Sequence, residues 1–171
     1  MQSVELLLDE SSDAHVRGQW QALADAGLPS QAQHTGIANA PHVTLAMREV
    51  LDGGRESLLR EVVAGLPLPV RLGALAVFGR HRYVLVRLLV ADPALLALHC
   101  AVAEVLGSSS AGELLTEPGR WTPHVTLARG LDATGVGRAL QALGGSRPVE
   151  GEAVDCRRWD PVVGRAWSLR C

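Results

Sequence analysis

Short runs of apolar residues alternate along this chain with segments whose apolar residues recur every three to four positions. The first pattern predicts strands and the second amphipathic helices. Ser3 to Leu8 reads as a strand, closed by the polar stretch Asp9 to Ser12. Ser12 or Asp13 can cap a helix to about Ala26, with Val16, Trp20, Leu23 and Ala24 as its buried stripe. A polar loop then leads to a strand beginning at His42. Gly53-Gly54 breaks the chain, Glu56 to Gly65 reads as a second helix with Leu58, Leu59, Val62 and Val63 inward, and Leu68 to Phe78 as a long strand. After the turn Gly79 to Arg82 the order begins again. Tyr83 to Val90 is a strand, and Asp92 caps a helix to about Leu106 whose inner side carries Leu95, Leu96, His99, Val102 and Leu106. The loop Gly107 to Thr122 precedes another strand, Asp132 caps a helix to about Leu143, and Pro148 to Trp159 is a strand. One strand, Val162 to Leu169, is left over.

The two halves share the recipe strand, helix, strand, helix, strand. In each, the middle strand is the same hexapeptide: Pro41-His42-Val43-Thr44-Leu45-Ala46 and Pro123-His124-Val125-Thr126-Leu127-Ala128. The chain is therefore an internal duplication, with repeats of approximately 3–78 and 83–159 and an extra strand at 162–169. A single domain over 1–171 is expected, of α+β class and bilobal. Its two small antiparallel or mixed sheets would face a central cleft, with helices outside.

Composition narrows the choices. A 171-residue chain buries about 70% of its unfolded surface and needs no cross-links. The cysteines, Cys100, Cys156 and Cys171, have no metal-type spacing and read as reduced thiols of a cytoplasmic protein. No secretory leader follows Met1, and the apolar run Tyr83 to Val90 is broken by Arg87, so no membrane span is expected. A net charge of -2 argues against bulk binding of long nucleic acid and suits a small substrate. Every cation is arginine, for the chain has no lysine. That excludes a Walker-type phosphate loop and ligation through a lysyl-adenylate.

In a strand, residues i and i+2 share a face. Each copy of the hexapeptide thus turns one imidazole and one hydroxyl the same way. Imidazole titrates near neutrality, so two histidines facing each other supply both a general base and a general acid. Thr44 and Thr126 can donate to the non-bridging oxygens of a phosphodiester held between them. Arg129 is a candidate bidentate phosphate partner, although strict alternation places it on the other face unless the strand bulges, and Gly130 offers such a bend. No metal and no cofactor is required by this set.

These residues resemble the signature of the 2H phosphoesterases, in the branch of bacterial 2'-5' RNA ligases and RNA 2',3'-cyclic phosphodiesterases. The signature is two His-x-Thr-x tetrads, one per lobe of a duplicated fold, here His42 to Leu45 and His124 to Leu127. The resemblance covers essentially the whole chain. It implies that the histidines are catalytic, that the threonines and Arg129 bind the scissile phosphate, and that water opens a 2',3'-cyclic phosphate, usually to a 2'-phosphate. By the same analogy His42 is the acid and His124 the base. The first copy departs from the pattern with Met47 where a polar residue is usual, followed by Arg48. The expected partner is an RNA with a cyclic phosphate end, or a cyclic nucleotide, met by a monomer. Alternatives are an ATP-independent 2'-5' RNA ligase or another RNA transesterase, a phosphodiesterase for a non-RNA cyclic phosphate, and a nucleotide- or RNA-binding module without turnover. Trp121, just before the second tetrad, is a candidate for base stacking, with core packing as its other reading. Trp20, Trp159 and Trp167 read as core, Phe78 as a strand residue, His34 and His81 as exposed polar residues able to rim a cleft, and His99 as a hydrogen-bonded core or border residue.

Overall fold

The computed structural model describes residues 1–36, 38–107, 115–145 and 147–170. Its strands are β1 (Gln2–Leu8), β2 (His42–Arg48), β3 (Leu68–Phe78), β4 (Tyr83–Leu89), β5 (His124–Leu131), β6 (Val149–Asp160) and β7 (Arg165–Ser168). The helices are α1 (Glu10–Asp25), α2 (Glu56–Val63), α3 (Pro93–Leu106) and α4 (Ala133–Leu143). Of the expected loop from Gly107 to Thr122, residues 108–114 lie outside the described residues, as does Cys171.

Local signals set the ends. The aspartates at 9, 92 and 132 each accept a backbone N–H of the first helical turn that follows. For α1 the cap is Asp9, three to four residues earlier than expected. It also accepts from the N–H of Glu152 on β6, so the cap fastens the helix to the sheet. Burial works against the charge on Asp9, but hydrogen bonds from Ser11, Ser12 and Glu152 outweigh it and hold the carboxyl well below its usual range. Two expected inward residues face solvent instead: Leu58 on α2 is 48% exposed and Leu96 on α3 40%. The last strand is shorter than 162–169, because Val162 and Val163 occupy the exposed β6–β7 turn.

The two sheets expected around the cleft are arms of one antiparallel sheet, ordered β2-β1-β6-β3-β4-β5, with β7 on β6. The union comes from strand length. The first halves of β3 and β6 pair with each other (Val70 opposite Gly151), while the second half of β3 pairs with β4 and that of β6 with β1. The pseudo-twofold axis runs between β3 and β6. The arms end in β2 and β5, which approach each other without pairing.

The helices interlock the repeats. α1 packs on α4 and touches β5, and α3 packs on α2 and touches β2, so each half's first helix lies against the other half's His-x-Thr strand. The core beneath includes Val4, Leu6, Val43, Leu45, Leu72, Leu85, Val125 and Leu127. An edge strand presents unpaired backbone groups, and here indoles answer two of them. Trp20 Nε1 donates to the Thr126 carbonyl at 3.0 Å, and Trp121 Nε1 to the Thr44 carbonyl at 2.8 Å.

Candidate active site

His42 and His124 open β2 and β5, each just after a proline. Nδ1 of His42 donates to the Ala40 carbonyl and Nδ1 of His124 to the Thr122 carbonyl, both at 2.7 Å. Each imidazole is thus pinned by the carbonyl two residues before it, which leaves Nε2 as the ring atom available for proton transfer. Val43 and Val125 point into the core, while Thr44 and Thr126 are half-buried on the histidine side.

Both strands then break alternation at the same place. Val4 lies opposite Ala46 but Glu5 opposite Thr44; likewise Leu85 lies opposite Ala128 but Val86 opposite Thr126. Leu45 and Leu127 are the extra residues of two β-bulges, which is why Leu45-Ala46 and Leu127-Ala128 are buried in succession. The bulge returns the next residue, Met47 or Arg129, to the histidine face. Arg129 therefore reaches the site, with Nη2 3.4 Å from Thr126 Oγ1. Gly130 does bulge, with φ 78°, but one residue too late to turn Arg129. Arg48 does not reach the site: it is buried on the other face and donates to the carbonyls of Met47 and Gly107.

A cavity of about 110 Å³ at the junction of the repeats is lined by His42, Thr126 and Arg129 together with Trp20, Gln31 and Asn39. Residues of both tetrads thus share one space. His124 is near enough to His42 to be influenced by its charge. Burial lowers the pKa of His124 below the ordinary histidine value, and the Arg129 and His42 charges lower it further, against the opposing pull of the Thr122 carbonyl.

A second, open cleft of about 470 Å³ extends from His42 along β1 and β6, past Glu5, Arg157 and Trp159. Glu5 is 3% exposed. Its Oε2 accepts from Arg157 Nε at 2.8 Å, its Oε1 from Ser3 Oγ at 2.6 Å, and Oε1 lies 3.6 Å from His42 Nε2. Glu5 and its pairing with Arg157 escaped the sequence reading. A glutamate inside the apolar run Val4 to Leu8 was the available signal; its pairing with a residue on β6 was not.

His34 rims the same cleft, whereas His81 stays exposed in its turn. His99 is buried, with Nε2 2.9 Å from the Thr116 carbonyl. Trp121 is placed for packing: its ring lies flat on that of His99, centroids 4.0 Å apart, and its N–H is spent on Thr44. One face is therefore closed to a base. Phe78, expected only as a strand residue, meets His124 edge-on at 5.0 Å. Among the described residues no three His, Cys, Asp or Glu side chains are grouped to hold a metal ion, and no helix is long and apolar enough to cross a membrane.

An interlocked α+β duplication with one histidine-threonine pair from each repeat defines the 2H class of phosphoesterases. The sequence model of the 2'-5' RNA ligase superfamily matches residues 12–160, and the chain belongs to that superfamily. Membership supports an enzyme acting on RNA phosphodiester bonds. Among solved structures, that of Kluyveromyces marxianus Usb1 is similar in fold, with a TM-score of 0.55 at 14% identity over 98% of this chain and 96% of the other. No curated protein matches the chain in sequence.

Proposed function

We propose that this protein opens 2',3'-cyclic phosphates at RNA ends or on nucleotides by two-histidine general acid–base catalysis. The observation that carries the reading is the paired anchorage of His42 and His124, each bonded through Nδ1 to the carbonyl two residues back. His124 is the base. Its lowered pKa keeps the ring neutral at physiological pH, so Nε2 accepts a proton from water as the water oxygen bonds to phosphorus. His42 is the acid, as the resemblance implies, and its Nε2 lies 3.6 Å from the Glu5 carboxyl. The His42 proton passes to the ribose oxygen as the bond from that oxygen to phosphorus breaks. The 3' oxygen leaves and a 2'-phosphate remains, as in the branch this sequence resembles. Afterwards His124 holds the proton that His42 lacks, and exchange with solvent resets both.

Thr44 and Thr126 donate to the non-bridging oxygens, and Arg129 meets the charge that grows on them. With a 5'-hydroxyl of RNA attacking the cyclic phosphate in place of water, the same steps form a 2'-5' bond without ATP, consistent with a chain that has no lysine.

The test is hydrolysis of the four nucleoside 2',3'-cyclic monophosphates and of a short RNA with a cyclic end, in EDTA, with the product isomer identified. Wild type is expected to be active, and His42→Ala and His124→Ala each to lose roughly 10²–10⁴-fold in kcat. Equal inactivity of all three on every substrate sinks the cyclic phosphodiesterase and leaves a binding module.

A further inference from the structure

Four tryptophans serve this chain, and three have structural duties. Trp20 donates to Thr126 under the Arg17 guanidinium, Trp121 donates to Thr44 against His99, and Trp167 donates to Glu56 beneath Arg158. Trp159 differs. Among the described residues its N–H has no acceptor and its ring no aromatic or cationic partner. An indole with one apolar face and a free polar edge is the kind of side chain enriched at interfaces, and this half-buried one lines the cleft of about 470 Å³ that opens beside His42.

The pseudo-twofold axis supplies an internal control. Trp159 pairs with Ser3, which pairs with Met47; Phe78 pairs with Val84, which pairs with Arg129. Trp159 and Phe78 are thus equivalent positions on the two arms. Phe78 is spent on an edge contact with His124. Trp159 instead stands over an open space that suits a small-molecule ligand, and Gln33, His34 and Thr35 line that space with polar groups.

We infer that Trp159 and this cleft form a nucleobase subsite, which seats the base of the nucleoside whose ribose carries the cyclic phosphate. The inference rests on the proposed reading in one respect: the acid protonates a ribose oxygen, so the nucleoside lies on the His42 side. That is the side on which the cleft opens. Stacking on an indole tolerates every base, so the subsite distinguishes a nucleoside from a bare sugar phosphate more sharply than one base from another.

The experiment compares adenosine 2',3'-cyclic phosphate with methyl ribofuranoside 2,3-cyclic phosphate, which lacks the base, on wild type, Trp159→Ala and Trp159→Phe. Trp159→Ala is expected to raise KM for the adenosine substrate roughly 10-fold to 100-fold, to leave kcat nearly unchanged and to leave the base-less substrate untouched. Trp159→Phe retains most of the affinity. Equal losses on both substrates, or none on either, overturn the subsite. Should wild type turn over neither substrate, the phosphodiesterase reading has failed, and calorimetric binding of adenosine 2'-monophosphate decides the subsite by itself. Weaker binding to Trp159→Ala than to wild type and Trp159→Phe supports it, and equal binding by all three overturns it.

Discussion

Pro41 to Ala46 and Pro123 to Ala128 are the same six residues in different company. Across β2, Thr44 faces Glu5, and Glu5 faces Arg157 on β6. Across β5, Thr126 faces Val86, and Val86 faces Ala76 on β3. One repeat carries a buried ion pair where the other carries two small apolar side chains. Beyond the shared bulge the bias reverses, with Met47 in the first repeat and Arg129 in the second. Duplication alone would make two interchangeable histidines. The neighbours end that equivalence: a carboxylate beside one imidazole, a guanidinium near the other. On the proposed reading the first histidine carries a proton into the reaction and the second arrives without one.

The sharpest way to break this comparison is to move the arginine. Arg129→Met makes the second repeat match the first at this position and removes the cation beside Thr126. A loss of roughly 10²-fold in kcat/KM is expected, the scale on which one preorganised partner of the transition-state charge counts. Adding Met47→Arg to that variant restores the count of cations on the opposite side. If the flanking residues fix the roles, the double variant stays at the level of the single one. Recovery toward wild type would show that the repeats are interchangeable and that the asymmetry argument is wrong.

A smaller effect is expected from Glu5→Gln, which keeps the shape and removes the charge beside His42 Nε2. The expected loss is roughly 10-fold in kcat/KM, because the carboxyl 3.6 Å from the ring no longer offers a charge to the acid. The acid limb should not move. It reports His124, which must be neutral to act, and burial with the Arg129 and His42 charges lowers its pKa. That limb therefore lies below pH 6.5, the ordinary histidine value. A profile of kcat/KM from about pH 5 to about pH 9 locates that limb in wild type and variant. If the acid limb shifts instead, the assignment of acid and base is reversed. Arg157 loses its carboxylate in this variant, so a thermal melt must show that the fold survives.

Much of this arrangement was legible beforehand. Strand, helix and repeat order follow from periodicity, because each half places its apolar residues at spacing 2 or 3.6. The bulge was written in the same letters: Thr-Leu-Ala sets two apolar residues in succession after a polar one, twice. Attributing the turn of Arg129 to Gly130 overlooked that signal. Glu5–Arg157 was not legible, since it joins residues 152 positions apart through a β1–β6 pairing that no local pattern specifies. The union of the sheets was hidden for a related reason: two long strands, β3 and β6, each pair differently along their two halves. Trp121 takes the packing role that was one of its two readings, and Trp159, expected in the core, lines an open cleft, because composition says which residues are aromatic, while only the neighbours say which ring is already occupied.

The gentlest probe of the comparison concerns stability. Trp20 and Trp121 hold the facing edges of β5 and β2 by one hydrogen bond each, at 3.0 and 2.8 Å. Trp20→Phe and Trp121→Phe each leave a partly buried carbonyl without its donor, at a cost of about 1–3 kcal/mol. For a chain of this length that lowers Tm by about 2–4 °C per kcal/mol. Similar losses would mean that the pseudo-twofold frame bears load evenly, and that the repeats differ only in chemistry. A clearly larger loss for Trp121→Phe is the informative departure. That ring also lies flat on His99, which is fixed to Thr116, and the Thr116 hydroxyl accepts from the N–H of Met47. Such a result would locate the asymmetry in the scaffold behind β2 as well as in the groups that face the substrate.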